Sequence, residues 1–258
     1  MSVRSWFGQY CVNVSDLDAS VALYEALGLT CTSRTEIPQA FEAIVENPGG
    51  GSKLQLAQQK DEPFSLGNAL WKLYVNTHDV AATFSAATDA GCRPVSEPER
   101  LDRWPVTVAF VHDRDGHLVE LVERHPWPDD APPGAWMGQY CINVTDIDET
   151  IGFYETAGLT CTSRTEIPQA FEAIVENPDT GSKLQLAQQK DDPAPIEMGS
   201  FWKLYINTDD CATLHDALVE AGHRSVLEPM SPERWPVTIA FVNDPDGYLV
   251  ELVERHPD

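Results

Sequence analysis

The stretch Asp113–His125, DRDGHLVELVERH, returns near the C-terminus as Asp244–His256, DPDGYLVELVERH. In each copy an Asp-Gly pair, Asp115-Gly116 or Asp246-Gly247, supplies turn chemistry, and the β-branched apolar run behind it reads as a buried strand. Side chains alternate across a sheet, so Leu118, Glu120 and Val122 share one face while Val119, Leu121 and Glu123 share the other. Each strand therefore carries a carboxylate at its middle, Glu120 or Glu251. Burying such a group without a partner is costly, so either that face is wet or something answers the charge.

Working outward, the duplication extends over the chain. Gly28–Pro48 recurs letter for letter as Gly158–Pro178, and Gly51–Asp61 as Gly181–Asp191. The register slips by one residue across Pro193–Ser200, after which Trp104–Thr107 matches Trp235–Thr238. Residues 127–134 are proline-rich and favour extended backbone, which divides the chain into a half at 1–126, this linker, and a half at 135–258.

Each half repeats one order twice. Tyr10–Val14 alternates as a strand; Ser15 or Asp16 caps a helix whose apolar positions Leu17, Val21, Tyr24 and Leu27 have helical spacing, and Gly28 ends it. Three strands follow, near 30–35, 40–46 and 53–59. The pattern restarts with a strand over 71–76, a helix from about Asp79 to Ala90 closed by Gly91, and strands near 93–96, 105–112 and 117–123. Four βαβββ modules with helices on one side of antiparallel-rich sheets make an α+β fold.

The strands also carry a polar stripe. Gln9, Cys11 and Asn13 oppose Tyr10, Val12 and Val14; Lys53, Gln55 and Ala57 oppose Leu54 and Leu56; Lys72, Tyr74 and Asn76 oppose Trp71, Leu73 and Val75. Alternation leaves two readings open, a sheet with one solvated face or a curled sheet whose polar face lines a cavity.

Composition excludes several classes. The formal charge is −24 over 258 residues, from 17 basic and 41 acidic side chains, which argues against nucleic acid or an anionic membrane surface as a partner. Lysine is confined to repeated pairs, Lys53 with Lys183, Lys60 with Lys190 and Lys72 with Lys203. The six cysteines form no C-x-x-C pair, which fits reduced thiols in a cytoplasmic protein. Met1–Tyr10 lacks the pattern of a signal peptide, and no segment approaches transmembrane length.

The fourfold βαβββ order, the DPDGYLVEL ending at Asp244–Leu252 and the opening at Val14–Tyr24 together resemble the vicinal oxygen chelate superfamily, which includes glyoxalase I, bleomycin-resistance proteins and extradiol dioxygenases. The likeness spans essentially the whole chain and is strongest to a glyoxalase I dimer fused into one chain. It implies two curled-sheet domains, a pseudo-dimer, with a divalent metal held by four side chains per cavity. Carried onto this sequence, the first ligand position falls on Gln9 and Gln139, the second on Gln55 and Gln185, the third on Lys72 and Lys203, and the fourth on Glu120 and Glu251. The family's usual residues are His or Gln, Glu, His and Glu. A protonated lysine has no lone pair for a metal, and its charge repels one. A lost metal site with no cofactor is the expectation.

Two functions from different classes follow. One is a metal-independent isomerase, epimerase or lyase on a small carbonyl-containing metabolite. Glu120 and Glu251 would be its bases, Lys72 and Lys203 their electrostatic partners, and Gln9, Gln55, Gln139 and Gln185 would orient substrate oxygens. The other is a non-catalytic drug- or metabolite-binding protein, in which Tyr74, Tyr205, Trp104 and Trp235 would face a cationic or aromatic ligand. Metal-dependent lactoylglutathione lyase activity ranks third. The partner in either case is a small molecule, and the chain is expected to act as a monomeric pseudo-dimer or as a homodimer. Swapped pairing, first module with fourth, is favoured over pairing of neighbours, and the histidines His78, His125, His215 and His256 read as surface groups.

Overall fold

A computed structural model describes residues 3–180, 182–191 and 195–256; Asp192–Ala194 of the connection where the repeat register slips lie outside them. The elements run β1 (Ser5–Asn13), α1 (Leu17–Ala26), β2 (Thr30–Glu36), β3 (Ala40–Glu46), β4 (Lys53–Gln59), β5 (Leu70–Asn76), α2 (Val80–Asp89), β6 (Arg93–Arg100), β7 (Val106–His112) and β8 (Leu118–Arg124). The second half repeats them as β9 (Trp136–Asn143), α3 (Ile147–Thr156), β10 (Thr160–Glu166), β11 (Ala170–Glu176), β12 (Lys183–Gln189), β13 (Phe201–Thr208), α4 (Cys211–Glu220), β14 (Ser225–Met230), β15 (Val237–Asn243) and β16 (Leu249–Arg255). The four-module reading and the α+β class hold.

All four helices start and stop by the same chemistry. Asp16, Asp79, Asp146 and Asp210 sit at the N-caps in extended conformation, and each side chain accepts a hydrogen bond from a first-turn amide, a device that contributes about 1 kcal/mol. At the other end Gly28, Gly91, Gly158 and Gly222 adopt positive φ. The amides of the residues after them, Leu29, Cys92, Leu159 and His223, reach back to the carbonyls of Tyr24, Ala87, Tyr154 and Leu218. That is the Schellman closure, which favours glycine.

The strands form two eight-stranded sheets, ordered β14-β15-β16-β13-β1-β4-β3-β2 and β10-β11-β12-β9-β5-β8-β7-β6. The first and fourth modules thus share one sheet and the second and third the other, the swapped arrangement. The chain clusters into two compact units, residues 11–140 with 199–201, and residues 1–10, 141–198 and 202–258, so the division falls within β1 and β9.

In the unit of residues 11–140, β5 and β8 pair in parallel with Tyr74 opposite Glu120, and β7 runs antiparallel to β8 with Phe110 opposite Glu120. Leu54, Leu56, Leu73, Val75, Val119 and Leu121 are fully buried, on the faces toward the helices. The linker is fastened here: Asn47 Nδ2 donates to the carbonyls of Pro133 and Ala135, and the Trp127 ring lies 3.7 Å from that of His78 and meets Trp136 edge-on at 4.9 Å. The other unit repeats the frame, with Tyr205 opposite Glu251 and Phe241 opposite Glu251. There Phe7 lies 5.9 Å from Tyr10 and 5.7 Å from Tyr154, all three buried. Phe7 and Tyr10 are three residues apart yet on one face, so simple alternation breaks between them, at Gly8 and Gln9.

The turn that opens β8 is a structural hub. Asp113 is buried and accepts hydrogen bonds from the amides of Asp115 and His117, from His117 Nδ1 at 2.8 Å and from the Tyr24 hydroxyl at 3.0 Å. Asp115 accepts from the Ser15 amide and hydroxyl, just ahead of α1. In the second copy Asp244 and Asp246 do the same for Tyr154 and Thr145, with Tyr248 in place of His117.

Candidate functional site

On the polar face of β5 and β8, Lys72 Nζ lies 3.0 Å from Glu120 Oε2, and the two side chains are 12% and 11% exposed. In the other unit Lys203 Nζ lies 2.8 Å from Glu251 Oε2, both side chains 11% exposed. The parallel register explains the meeting, since Tyr74 aligns with Glu120 and Tyr205 with Glu251. Each lysine thus stands two positions before the residue opposite the carboxylate, on the same face of the strand, and can lean across to it. A charge removed from water this far is tolerated when its counter-ion is in reach.

Aromatic rings surround both ammonium groups. Lys72 Nζ is 4.6 Å from the Trp71 ring centroid and 5.0 Å from that of Tyr74. Lys203 Nζ is 4.7 Å from Trp202, 4.9 Å from Tyr205 and 5.7 Å from Phe241. These are distances at which a ring's quadrupole attracts a cation.

The same face continues through Asn76 and Arg124. Arg124 Nε donates to Asn76 Oδ1 at 3.1 Å. Burial pulls the Arg124 pKa below its ordinary value, opposed by the charges of Glu120 and Tyr74. Glu123, adjacent in sequence, turns to the opposite face and accepts from the Val80 amide at the start of α2. Opposite Asn76 stands Gly138, where an added Cβ would come within 2.5 Å of Asn76 Nδ2; Gly8 stands likewise against Asn207.

The glutamines occupy their expected strands. Gln55 and Gln185 are buried on β4 and β12, while Gln9 and Gln139 are half-buried on β1 and β9. Asn13 and Gln59 confirm the face of β4, since Gln59 Nε2 donates to Asn13 Oδ1 at 2.8 Å. Gln55, Glu120, Lys203 and Glu251 are all under a tenth exposed, so the middle of the polar face is withdrawn from solvent, while Lys72, Gln9 and Gln139 stay half-buried and Arg124 is exposed. Trp104 and Trp235 are 41% and 44% exposed in the turns before β7 and β15, each beneath an arginine, Arg103 at 4.7 Å and Arg234 at 4.8 Å. Cys11 and Cys141 are fully buried.

Sequence reasoning missed three features. Glu42 and Glu172 lie on the covered face, opposite Ala57 and Ala187 and diagonal to Gln55 and Gln185; alternation along β3 could have found them. Nothing in the sequence singled out Arg124, which ends β8 on the face of Glu120. His215 is 1% exposed and meets Ser225 Oγ at 2.9 Å, so it is no surface group. A cleft of about 420 Å³ beside the start of α3, lined by Ile147, Arg164, Phe171 and Gln188 among others, shares no residue with the lysine–glutamate cluster.

Among the described residues no three His, Cys, Asp or Glu side chains gather as a metal centre. The four positions assigned by resemblance hold one carboxylate, two neutral amides and an ammonium ion-paired with that carboxylate, a donor set unsuited to a divalent cation.

A family model described as the Glyoxalase/Bleomycin resistance protein/Dioxygenase superfamily matches residues 6–121 and 136–252. The chain belongs to this superfamily. A rice lactoylglutathione lyase is 23% identical over 259 residues, covering 94% of this chain and 87% of the rice protein. A probable lactoylglutathione lyase from Synechocystis is 26% identical over 119 residues, 43% of this chain and 90% of its own. The crystal structure of glyoxalase I from Zea mays superposes with a TM-score of 0.85 at 21% identity, covering 98% of this chain and 93% of the maize one. The glyoxalase fold, with two domains in one chain, is therefore shared. The matched segments end inside β8 and β16, at Leu121 and Leu252, and so take in Glu120 and Glu251.

Proposed function

We propose that this glyoxalase-superfamily protein is a metal-independent isomerase, epimerase or lyase acting at a carbon next to a carbonyl. The observation that carries the reading is the buried lysine–glutamate pair, Lys72–Glu120 and Lys203–Glu251, at 3.0 and 2.8 Å. The lysine supplies a fixed positive charge where the superfamily resemblance implies a metal, and it answers the charge of the carboxylate that would otherwise sit alone in a covered face.

The chemistry follows from those groups. The glutamate carboxylate takes the proton from the carbon, whose bonding pair moves toward the carbonyl oxygen as an enolate. The ammonium, aimed at that oxygen, donates a hydrogen bond to the growing negative charge, and in a covered site such a donor counts for more than in water. Return of the proton to the other face gives an epimer, and return to the neighbouring carbon an isomer. Loss of a leaving group from the adjacent carbon gives a lyase, the class in which the relatives are named. Gln9, Gln55, Gln139 and Gln185 would orient substrate oxygens.

The test is exchange of the carbon-bound proton in deuterated water, followed by NMR over a panel of small carbonyl compounds. Exchange that survives the double change Glu120→Gln and Glu251→Gln would refute the mechanism. The rings around each lysine, Trp71 and Tyr74 or Trp202 and Tyr205, favour a second reading, sequestration of a ligand. It is distinguished by a bound compound leaving unaltered.

A further inference from the structure

The chain as a whole is strongly acidic, yet the polar face of β5 and β8 is not. Lys72 and Glu120 cancel, and Glu123 faces the other way, which leaves Arg124 as the uncompensated charge on this face. Its only hydrogen bond among the described residues runs from Nε to Asn76 Oδ1, so the two terminal nitrogens have no protein acceptor. In a protein with 41 carboxylates and 11 arginines, Arg124 is exposed, oriented on one edge by an amide and not paired with an acid, which leaves its other edge open to a different anion. Arg255 holds the same place at the end of β16, opposite Val237 as Arg124 is opposite Val106, and it too lacks an acid partner among the described residues.

Building on the enolate chemistry proposed above, we infer that Arg124 and Arg255 form anion subsites that hold a carboxylate of the substrate, making the substrates small carbonyl acids rather than cations or neutral carbonyls. The geometry supports this in three ways. With Nε taken by Asn76, the free edge of the guanidinium presents its two Nη groups, a fork that matches the two oxygens of a carboxylate. Asn76 itself is buried and is pressed from behind by Gly138, where no Cβ fits, so the fork is held in direction. Asn76 lies opposite Val122 on the parallel strand pair, two residues along the same face from Glu120, so the oriented guanidinium and the lysine–glutamate pair share one stretch of sheet. The overall negative charge does not prevent docking, because surface charges farther than about 8 Å are screened at physiological salt.

The experiment compares two probes with one skeleton, pyruvate and its neutral amide pyruvamide, titrated by NMR against the full chain, the Arg124→Gln/Arg255→Gln variant and the Arg124→Lys/Arg255→Lys variant. The wild type is expected to bind pyruvate at least ten-fold more tightly than pyruvamide. That preference should vanish in the glutamine variant and persist, weakened, in the lysine variant, whose charge is kept but whose fork is lost. Equal affinity for the two probes in the wild type, no measurable binding of either, or a preference unchanged by the glutamine substitutions would each overturn the inference. The outcome is separable from that of the enolate mechanism: carboxylate preference without proton exchange would leave the subsite standing and refute catalysis, and exchange with equal preference would do the reverse.

Discussion

Asp113 and Asp244 occupy the same buried turn in the two halves, but only Asp113 has a histidine, with His117 Nδ1 at 2.8 Å. Tyr248 replaces that histidine in the second copy and sends its hydroxyl to the Asn143 carbonyl. Burial drives the Asp244 pKa from 3.8 to about 8, whereas the charge and hydrogen bonds of His117 overcome burial and hold Asp113 below its usual value.

The signs are opposite. Asp244 has its folded pKa raised, so its contribution to stability is fully present below pH 3.8 and is lost as pH rises toward about 8. Asp113 has its folded pKa lowered, so its contribution is present above 3.8 and lost in acid. Denaturant midpoints should therefore fall between pH 5 and pH 9, and Asp244→Asn should flatten that fall, with about 4 kcal/mol at stake between pH 5 and the folded pKa of about 8, at roughly 1.4 kcal/mol per pKa unit. An unchanged slope in the variant would mean Asp244 is ionised without penalty.

The Lys203–Glu251 pair is buried enough that losing one partner should cost more than losing both. Lys203→Met leaves Glu251 uncompensated and should lower stability by about 3–5 kcal/mol. Lys203→Met with Glu251→Leu should recover most of that loss, since apolar replacements of a buried pair are often tolerated. Neither variant should sustain proton exchange at the second site. Urea melts of the two variants decide it; additive losses would show that the two charges do not depend on one another.

What could be read from the sequence was local. A cap at Ser15 or Asp16, the helix start near Asp79, the glycines Gly28 and Gly91 that end the helices and the face carrying Glu120 all depend on residues within a few positions of one another. The apolar spacing of Leu17, Val21 and Tyr24 is of the same kind. What could not be read depended on partners distant in the chain. Alternation assigned Gln55 a face but could not say whether that face was wet. Asp113 reads as a turn residue until Tyr24 is seen to reach it from 89 residues away. Arg124 looks like a charged strand end until Asn76 is found beside it, and Gly8 is unremarkable until Asn207 fills the space in front of it.

That last relationship gives a test of positioning. Gly138→Ala would place a methyl group 2.5 Å from Asn76 Nδ2. The obstacle is the end of a side chain, so the amide can swing aside and the stability loss should be modest, about 1–2 kcal/mol. The swing would release Arg124 Nε from its acceptor. Pyruvate affinity should then fall several-fold while pyruvamide affinity stays level; equal loss of both would indicate a general distortion of the site instead.

Metal dependence is the property that tests the proposed role of the two lysines. If Lys72 and Lys203 supply the positive charge, dialysis against a chelator should leave proton exchange unchanged, and added zinc, nickel or magnesium should not raise it. Replacing each lysine by histidine, Lys72→His and Lys203→His, removes the fixed charge and restores a nitrogen donor facing Glu120 or Glu251. Exchange in that variant should be lost without metal, and zinc binding should appear by calorimetry where the unaltered chain shows none. A rate in the unaltered chain that falls with chelation and returns with a divalent ion would overturn the metal-independent reading, and the lysines would then have to move away from their glutamates for the ion to bind.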